Sequence, residues 1–163
     1  MRPLRWVVAP LLLALLALGL AACGPAKKSV FPPTVSIQQL QVLPDGQWEL
    51  TLRIQNNSYA GMDFRSLDGQ LQIAALAPVR LHGTFELDIP QLAGDVVRLK
   101  VWPTDAMTRA LQAIADKGSA ASLAYSISGS ATAKPEQESK ARAFDFSGKD
   151  WISAVPGIAH TFR

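Results

Sequence analysis

Cys23 is the only cysteine of the chain, and it stands at the end of an apolar run as Leu20-Ala21-Ala22-Cys23-Gly24. A thiol can serve as nucleophile, metal ligand, disulfide partner or point of attachment. With no second cysteine, an internal disulfide is excluded. The residues that could join it in chemistry are few. His82 and His160 are the only histidines, and neither has a second histidine or cysteine three or four residues away, as a metal site on one helix face needs. No serine sits in a Gly-x-Ser-x-Gly elbow. No phosphate-cradling glycine loop is present, and Ser128-Gly129-Ser130 reads as backbone at a strand end. Asp63, Asp68, Glu86 and Asp88 are scattered, and Glu86 and Asp88 share an exposed strand face. Paired-acid catalysis needs a carboxyl whose pKa is raised by burial, which such a face does not offer. The residue types therefore point away from catalysis, cofactors and metals. Cys23 remains, as a site of attachment.

The segment before it explains how. Arg2 and Arg5 form a basic start, and Trp6 to Leu20 is apolar apart from Pro10 and Gly19. That run is shorter than the roughly 20 residues that span a bilayer. A basic start, a short apolar run and small residues before a cut describe a cleaved secretory signal peptide. Cleavage with nothing retained, a retained transmembrane anchor and a free buried cysteine are the alternatives. Leu20, Ala21, Ala22 and Cys23 match all four positions of a lipobox and so resemble a bacterial lipoprotein signal. The resemblance implies that Cys23 carries thioether-linked diacylglycerol and becomes the acylated first residue once 1–22 is removed. One acyl chain binds membranes only marginally, whereas the two or three of a lipoprotein hold stably. Gly24 stands where retention in the inner membrane uses Asp, so the resemblance implies the outer membrane, facing the periplasm.

Charge narrows the partners. Lys plus Arg number 16 against 13 acids, and removing Arg2 and Arg5 leaves 14 against 13. The mature chain is nearly neutral, without the basic footprint that phosphate backbones favour, so nucleic acid is not an expected partner. About 130 residues beyond the linker suffice for one packed domain. No internal repeat is visible.

Residues 23–33 read as a lipidated cysteine and a tether. Pro25, Pro32 and Pro33 favour extended geometry at about 3.1 Å per residue, a spacer of up to about 30 Å. Lys27 and Lys28 are solvated or touch lipid head groups. Period-two alternation dominates thereafter. Val35 and Ile37 fall on one parity and Leu40 and Val42 on the other, which suggests a bulge. Leu43-Pro44-Asp45-Gly46 is a turn. Trp48, Leu50, Leu52 and Ile54 alternate with polar residues. So do Leu71 and Ile73; Val79, Leu81, Gly83, Phe85 and Leu87; Val97, Leu99 and Val101; Leu123, Tyr125 and Ile127; and Phe144 and Phe146. Lys134 to Arg142 alternates in sign, as a solvated loop does. One helix interrupts the strands. Thr104 caps it, Asp105 favours its positive end, Met107, Leu111 and Ile114 share a face, and Gly118 ends it. The expectation is an all-β sandwich of about seven strands with one short helix. A tail, 148–163, packs back on it or adds an edge strand.

The order of short motifs resembles the LEA-2 or WHy (water stress and hypersensitive response) domain over roughly 34–147. The chain has Ile54-Gln55-Asn56-Asn57-Ser58, His82-Gly83-Thr84-Phe85, Asp88-Ile89-Pro90, Val101-Trp102-Pro103 and Tyr125-Ser126-Ile127-Ser128-Gly129. It departs at Asn57-Ser58, where that family has Pro-Asn. The resemblance implies an immunoglobulin-like or fibronectin-III-like sandwich, a part in desiccation and stress tolerance, and no catalysis. It marks Asn56, Asn57, Gly83, Pro90, Tyr125 and Gly129 as structural positions. Asn at a strand exit tolerates unusual backbone and bonds neighbouring amides. The expected partners are the membrane, through the lipid, and envelope proteins. The alternative is a carrier of lipid or small apolar ligands, with Trp48, Trp102, Tyr125 and Phe85 lining a cleft. A hydrolase would need a cleft joining His82 to a serine and a carboxylate.

Overall fold

The strongest alternation in the chain builds the middle of a sheet. In a computed structural model, which describes residues 26–163, β2 (Trp48–Gln55) buries Trp48, Leu50, Leu52 and Ile54 completely. Its other face carries Glu49, Thr51, Arg53 and Gln55. Each such apolar side chain taken from water contributes about 1.5–3 kcal/mol. The segment expected to be a signal peptide, with Leu20, Ala21, Ala22 and Cys23, lies outside the described residues.

β2 pairs with β1 (Thr34–Val42) on one side and β5 (Gly94–Val101) on the other. The register of β1 shifts between Ile37 and Gln39, so Val35, Ile37 and then Leu40 all reach the core across the expected bulge. The second sheet runs β4-β3-β6-β7, from Val79–Ile89, Met62–Ile73, Ser122–Pro135 and Arg142–Ser153. The first runs β5-β2-β1-β8, closed by a two-residue edge strand, Thr161–Phe162. All the pairings are antiparallel. The described residues thus form an all-β sandwich with eight strands, against about seven expected.

Three elements differ from the sequence reading. β3 begins at Met62, well before the alternation recognised at Leu71. A bulge between Phe64 and Ser66 moves the buried parity from Met62 and Phe64 to Leu67, Leu71 and Ile73, which hides the pattern. Ser128-Gly129-Ser130 is not a strand end, because β6 continues to Pro135 and Gly129 pairs with Gly69 in mid-sheet. A Cβ on Gly129 would overlap the Asp68 carbonyl and the Gly69 backbone, so the ladder there requires a residue without a side chain. Phe146 from β7 occupies the space over Gly69. Finally, β7 runs through residue 147 to Ser153, and the chain returns as β8 with Phe162 opposite Leu40. Ile152 and Phe162 are buried, while Trp151 is 64% exposed.

α1 (Asp105–Lys117) lies between β5 and β6 in sequence. Thr104 accepts from the Met107 N–H at 3.2 Å, satisfying an orphan donor of the first turn. Met107, Leu111 and Ile114 are buried, and Gly118 follows with φ 71°. The sandwich has two distinct ends. One gathers Thr34, Gln55, the 56–61 loop, the 90–93 turn and Pro135. The other carries Val42, Trp48, Val101 and α1. Strands of eight or nine residues, at about 3.3 Å each, separate them by roughly 30 Å.

Candidate functional site

Asn56 follows the last residue of β2 and is fully buried. Its backbone N–H donates to Ala93 O at 2.8 Å. Its side-chain nitrogen lies 2.8 Å from Ala60 O, 3.1 Å from Ile89 O and 3.0 Å from Pro90 O, so two N–H groups are shared among three carbonyls. Its oxygen accepts from the Ser58 N–H at 2.9 Å. One amide thereby joins the exit of β2, in the first sheet, to the exit of β4, in the second. Pro90 ends β4 because it has no N–H to continue the ladder. The turn after it places Leu92 at φ 57°, with its N–H on Ser58 O at 3.2 Å.

The same corner holds the N-terminal segment. The Asn57 side-chain nitrogen donates to Pro32 O at 2.9 Å and to Thr34 Oγ1 at 3.0 Å. Ser58 Oγ accepts from the Phe31 N–H at 2.9 Å and lies 3.1 Å from Phe31 O and 3.2 Å from Met62 Sδ. Its one proton serves one of these two at a time. The Tyr59 N–H donates to Ser29 O at 3.0 Å, and the Lys28 N–H to Gln137 Oε1 at 2.8 Å. The Lys28 ammonium pairs with Glu136, and that hydrogen bond holds the exposed Glu136 carboxyl below its ordinary pKa. Pro33 is buried. The segment expected to be a free spacer is therefore seated on the sandwich from Lys28 onward.

The remaining marked positions lie elsewhere. Tyr125 OH accepts from the Ile37 N–H at 3.0 Å, crossing from the second sheet to the bulge of β1, and burial pushes its pKa up. Gly83 faces Leu99 of the opposite sheet, whose methyl occupies the place of a Cβ. Gly129 sits in mid-sheet. Only Asn56, Asn57 and Pro90 converge. Ser58, Phe31, Tyr59 and Leu92 complete the corner, and sequence reasoning did not single them out for it. Ser58 was visible only as a departure from the family pattern.

Of the groups weighed for catalysis, the structure brings His82 and Asp68 together. His82 Nδ1 lies 3.0 Å from Asp68 Oδ1, and Arg80 lies 2.9 Å from the same oxygen, all three on an exposed face. Arg80, and then His82, hold the Asp68 carboxyl below its usual range. Among the described residues, no group of three or more His, Cys, Asp or Glu is placed to hold a metal ion. Nor do the four aromatic residues line one cleft. Trp48 is fully buried, Tyr125 nearly so, Phe85 half-buried and Trp102 64% exposed. A cavity of about 260 Å³ instead opens at the α1 end, lined by Val42, Trp48, Leu111, Gln112, His160 and Phe162 among others. The buried Trp48 Nε1–H has no acceptor among the described residues.

Fold and corner together define a class: a two-sheet β-sandwich whose N-terminal lead is clamped to one end. No protein-family model matches the chain, and no curated protein matches it. Several solved structures are similar to it in part. A protein from Archaeoglobus fulgidus is 9% identical with a TM-score of 0.41, over 74% of this chain and 98% of that one. The structural-genomics target SoR45 is 13% identical with a TM-score of 0.42, over 77% and 89%. An Arabidopsis thaliana protein solved in solution is 9% identical with a TM-score of 0.43, over 85% and 88%. Likeness of this degree says nothing about shared chemistry.

Proposed function

We propose that this chain is a non-catalytic bacterial lipoprotein of the outer membrane, facing the periplasm, with a LEA-2/WHy-like domain that acts in desiccation and envelope stress tolerance. The lipobox at Leu20 to Cys23 supports the anchor. The observation that carries the reading furthest is the seating of Lys28 to Pro32 on Gln137, Tyr59, Ser58 and Asn57. A lead fixed by hydrogen bonds couples the anchor to one end of a rigid sandwich, as suits a protein that presents its faces to neighbouring envelope proteins or to the membrane. The filled core between the sheets favours a scaffold over a chemical site. Deleting the gene is expected to lower survival through drying and osmotic shock severalfold, with recovery on restoring the wild-type chain. Unchanged survival through both treatments sinks the stress role.

A second reading, carriage of a small ligand, draws on one observation. The unpartnered Trp48 Nε1–H belongs to a side chain that lines the cavity at the α1 end. A small apolar molecule suits walls of Val42, Leu111 and Phe162. Native mass spectrometry of the protein extracted from its own membranes is expected, on this reading, to show a co-purifying species that is lost on Leu111→Trp. A bare protein mass in gentle detergent disposes of it.

A further inference from the structure

We infer that the clamped end of the sandwich rests on the bilayer that holds the Cys23 acyl chains, with Phe31, Tyr59 and Leu92 at the boundary between head groups and acyl chains. The inference rests on the proposed anchor and deepens it: it assigns a lipid-contacting surface and an orientation.

Three of the exposed large apolar side chains meet at this end. Phe31 is 45% exposed, Tyr59 56% and Leu92 56%. Ser58 gathers them: its hydroxyl accepts from the Phe31 N–H, its carbonyl accepts from the Leu92 N–H, and Tyr59 follows it in the chain. The Phe31 and Tyr59 rings stand edge to face, 6.4 Å between centroids. Leu92 occupies the tip of its turn with φ 57°, a conformation that favours glycine. An aliphatic side chain held out to solvent from such a backbone adds nothing to the core. It does suit a tip that enters an apolar medium.

The backbone of the tip is ready for that medium. The Phe31, Tyr59 and Leu92 N–H groups are all bonded within the corner, and Leu92 O accepts from the Gln55 side chain at 3.0 Å. Polar groups without partners would resist leaving water. Tyr is suited to such a boundary, with an apolar ring and a polar tip. Lys27 precedes the tip on the anchor side, where anionic head groups would lie, while the Lys28 ammonium is already paired with Glu136.

Chain length fixes which end faces the lipid. Lys28 is seated on Gln137, and five residue steps separate it from Cys23. Even fully extended, five steps reach no more than about 18 Å. The opposite end, with α1, lies roughly a further 30 Å away along the strands. Three side chains make too small a patch to hold a protein on a membrane by themselves, since such binding scales with buried apolar area. With the lipid as anchor, they set the orientation.

The test uses the full chain, acylated at Cys23, in vesicles of phosphatidylethanolamine and phosphatidylglycerol. Acylation blocks the native thiol, so Tyr59→Cys, Leu92→Cys and, at the far end, Ile158→Cys each offer one site for a nitroxide. Collisions with oxygen, which enriches in lipid, are compared with collisions with a water-borne nickel chelate. The expected result is an oxygen-to-nickel ratio several-fold higher at 59 and 92 than at 158. Equal ratios at all three sites, on singly labelled chains that float with the vesicles, overturn the inference and leave the anchor standing. Shielding of 59 and 92 from both reagents means that protein covers the tip, and also overturns it. A second label at Cys23, on chains that do not float, overturns the anchor and the inference with it. Two tip variants guard against a misfolded one.

Discussion

Replacing Cys23 with serine is expected to move the protein from the membrane pellet to the soluble fraction. Serine keeps the size of the side chain and removes the sulfur to which the diacylglycerol would be joined. Each acyl CH₂ buried in a bilayer contributes about 0.8 kcal/mol, so two or three chains hold stably where one binds marginally. The apolar tip at Phe31, Tyr59 and Leu92 is too small to replace that anchor. The variant is best exported behind an ordinary secretory signal, so that an uncleaved apolar segment does not mimic the lipid. The intact mass supplies the second readout. The wild-type chain should begin at Cys23 and carry the mass of its acyl groups, and C23S should carry none. A wild-type chain with a free thiol, or a C23S chain that stays in the pellet after an alkaline wash, would mean that another device holds the protein.

Asn56→Ala is the second large effect, on stability rather than on address. The substitution removes a fully buried amide and leaves Ala60 O, Ile89 O and Pro90 O without its nitrogen, and the Ser58 N–H without its oxygen. An unsatisfied buried polar group costs about 1–3 kcal/mol, and several share this loss, so a destabilisation of about 3–5 kcal/mol is expected. For a domain of this size that lowers the melting temperature by about 10 °C or more. Asn57→Ala, whose bonds to Pro32 and Thr34 are exposed, should cost about 1 kcal/mol or less. The contrast is the measurement: thermal unfolding of both variants, with hydrogen exchange at Phe31 and Tyr59 as a local probe. Comparable small losses in both would show that Asn56 does not clamp the two sheets. The Asn56 loss should also release the N-terminal segment, because Ser58, which holds Phe31, is oriented through the Asn56 oxygen.

What could be read before folding shares one property: it depends on near neighbours along the chain. The alternation of β2, the parity switch that marks the β1 bulge and the Thr104 cap of α1 each involve residues a few positions apart. The lipobox-like stretch Leu20 to Cys23 is contiguous too, and it lies outside the described residues. The first half of β3 was hidden because its bulge breaks the parity and Gly69 stands where an apolar residue would otherwise continue it. β8 was too short to show a period, and its pairing with β1 joins residues about 120 positions apart.

The site divides along the same line. Asn56 and Asn57 were legible as a corner, because Asn at a strand exit has a local reason to be there. The use of that corner was not legible. Asn56 reaches Ile89 and Pro90, 33 and 34 residues away, and Ser58 reaches back 27 residues to Phe31. The tether read as a solvated proline spacer, since nothing in its composition names the carbonyls and amides that hold it.

By itself, then, the sequence determined the strand-rich class and the capped helix. The tertiary structure decided how the two sheets close, that the lead segment is clamped from Lys28, and that Phe31, Tyr59 and Leu92 meet at one tip. The reason is physical: periodicity and capping are satisfied within a turn or a strand, whereas buried amides and exposed patches acquire partners only when distant segments are brought together.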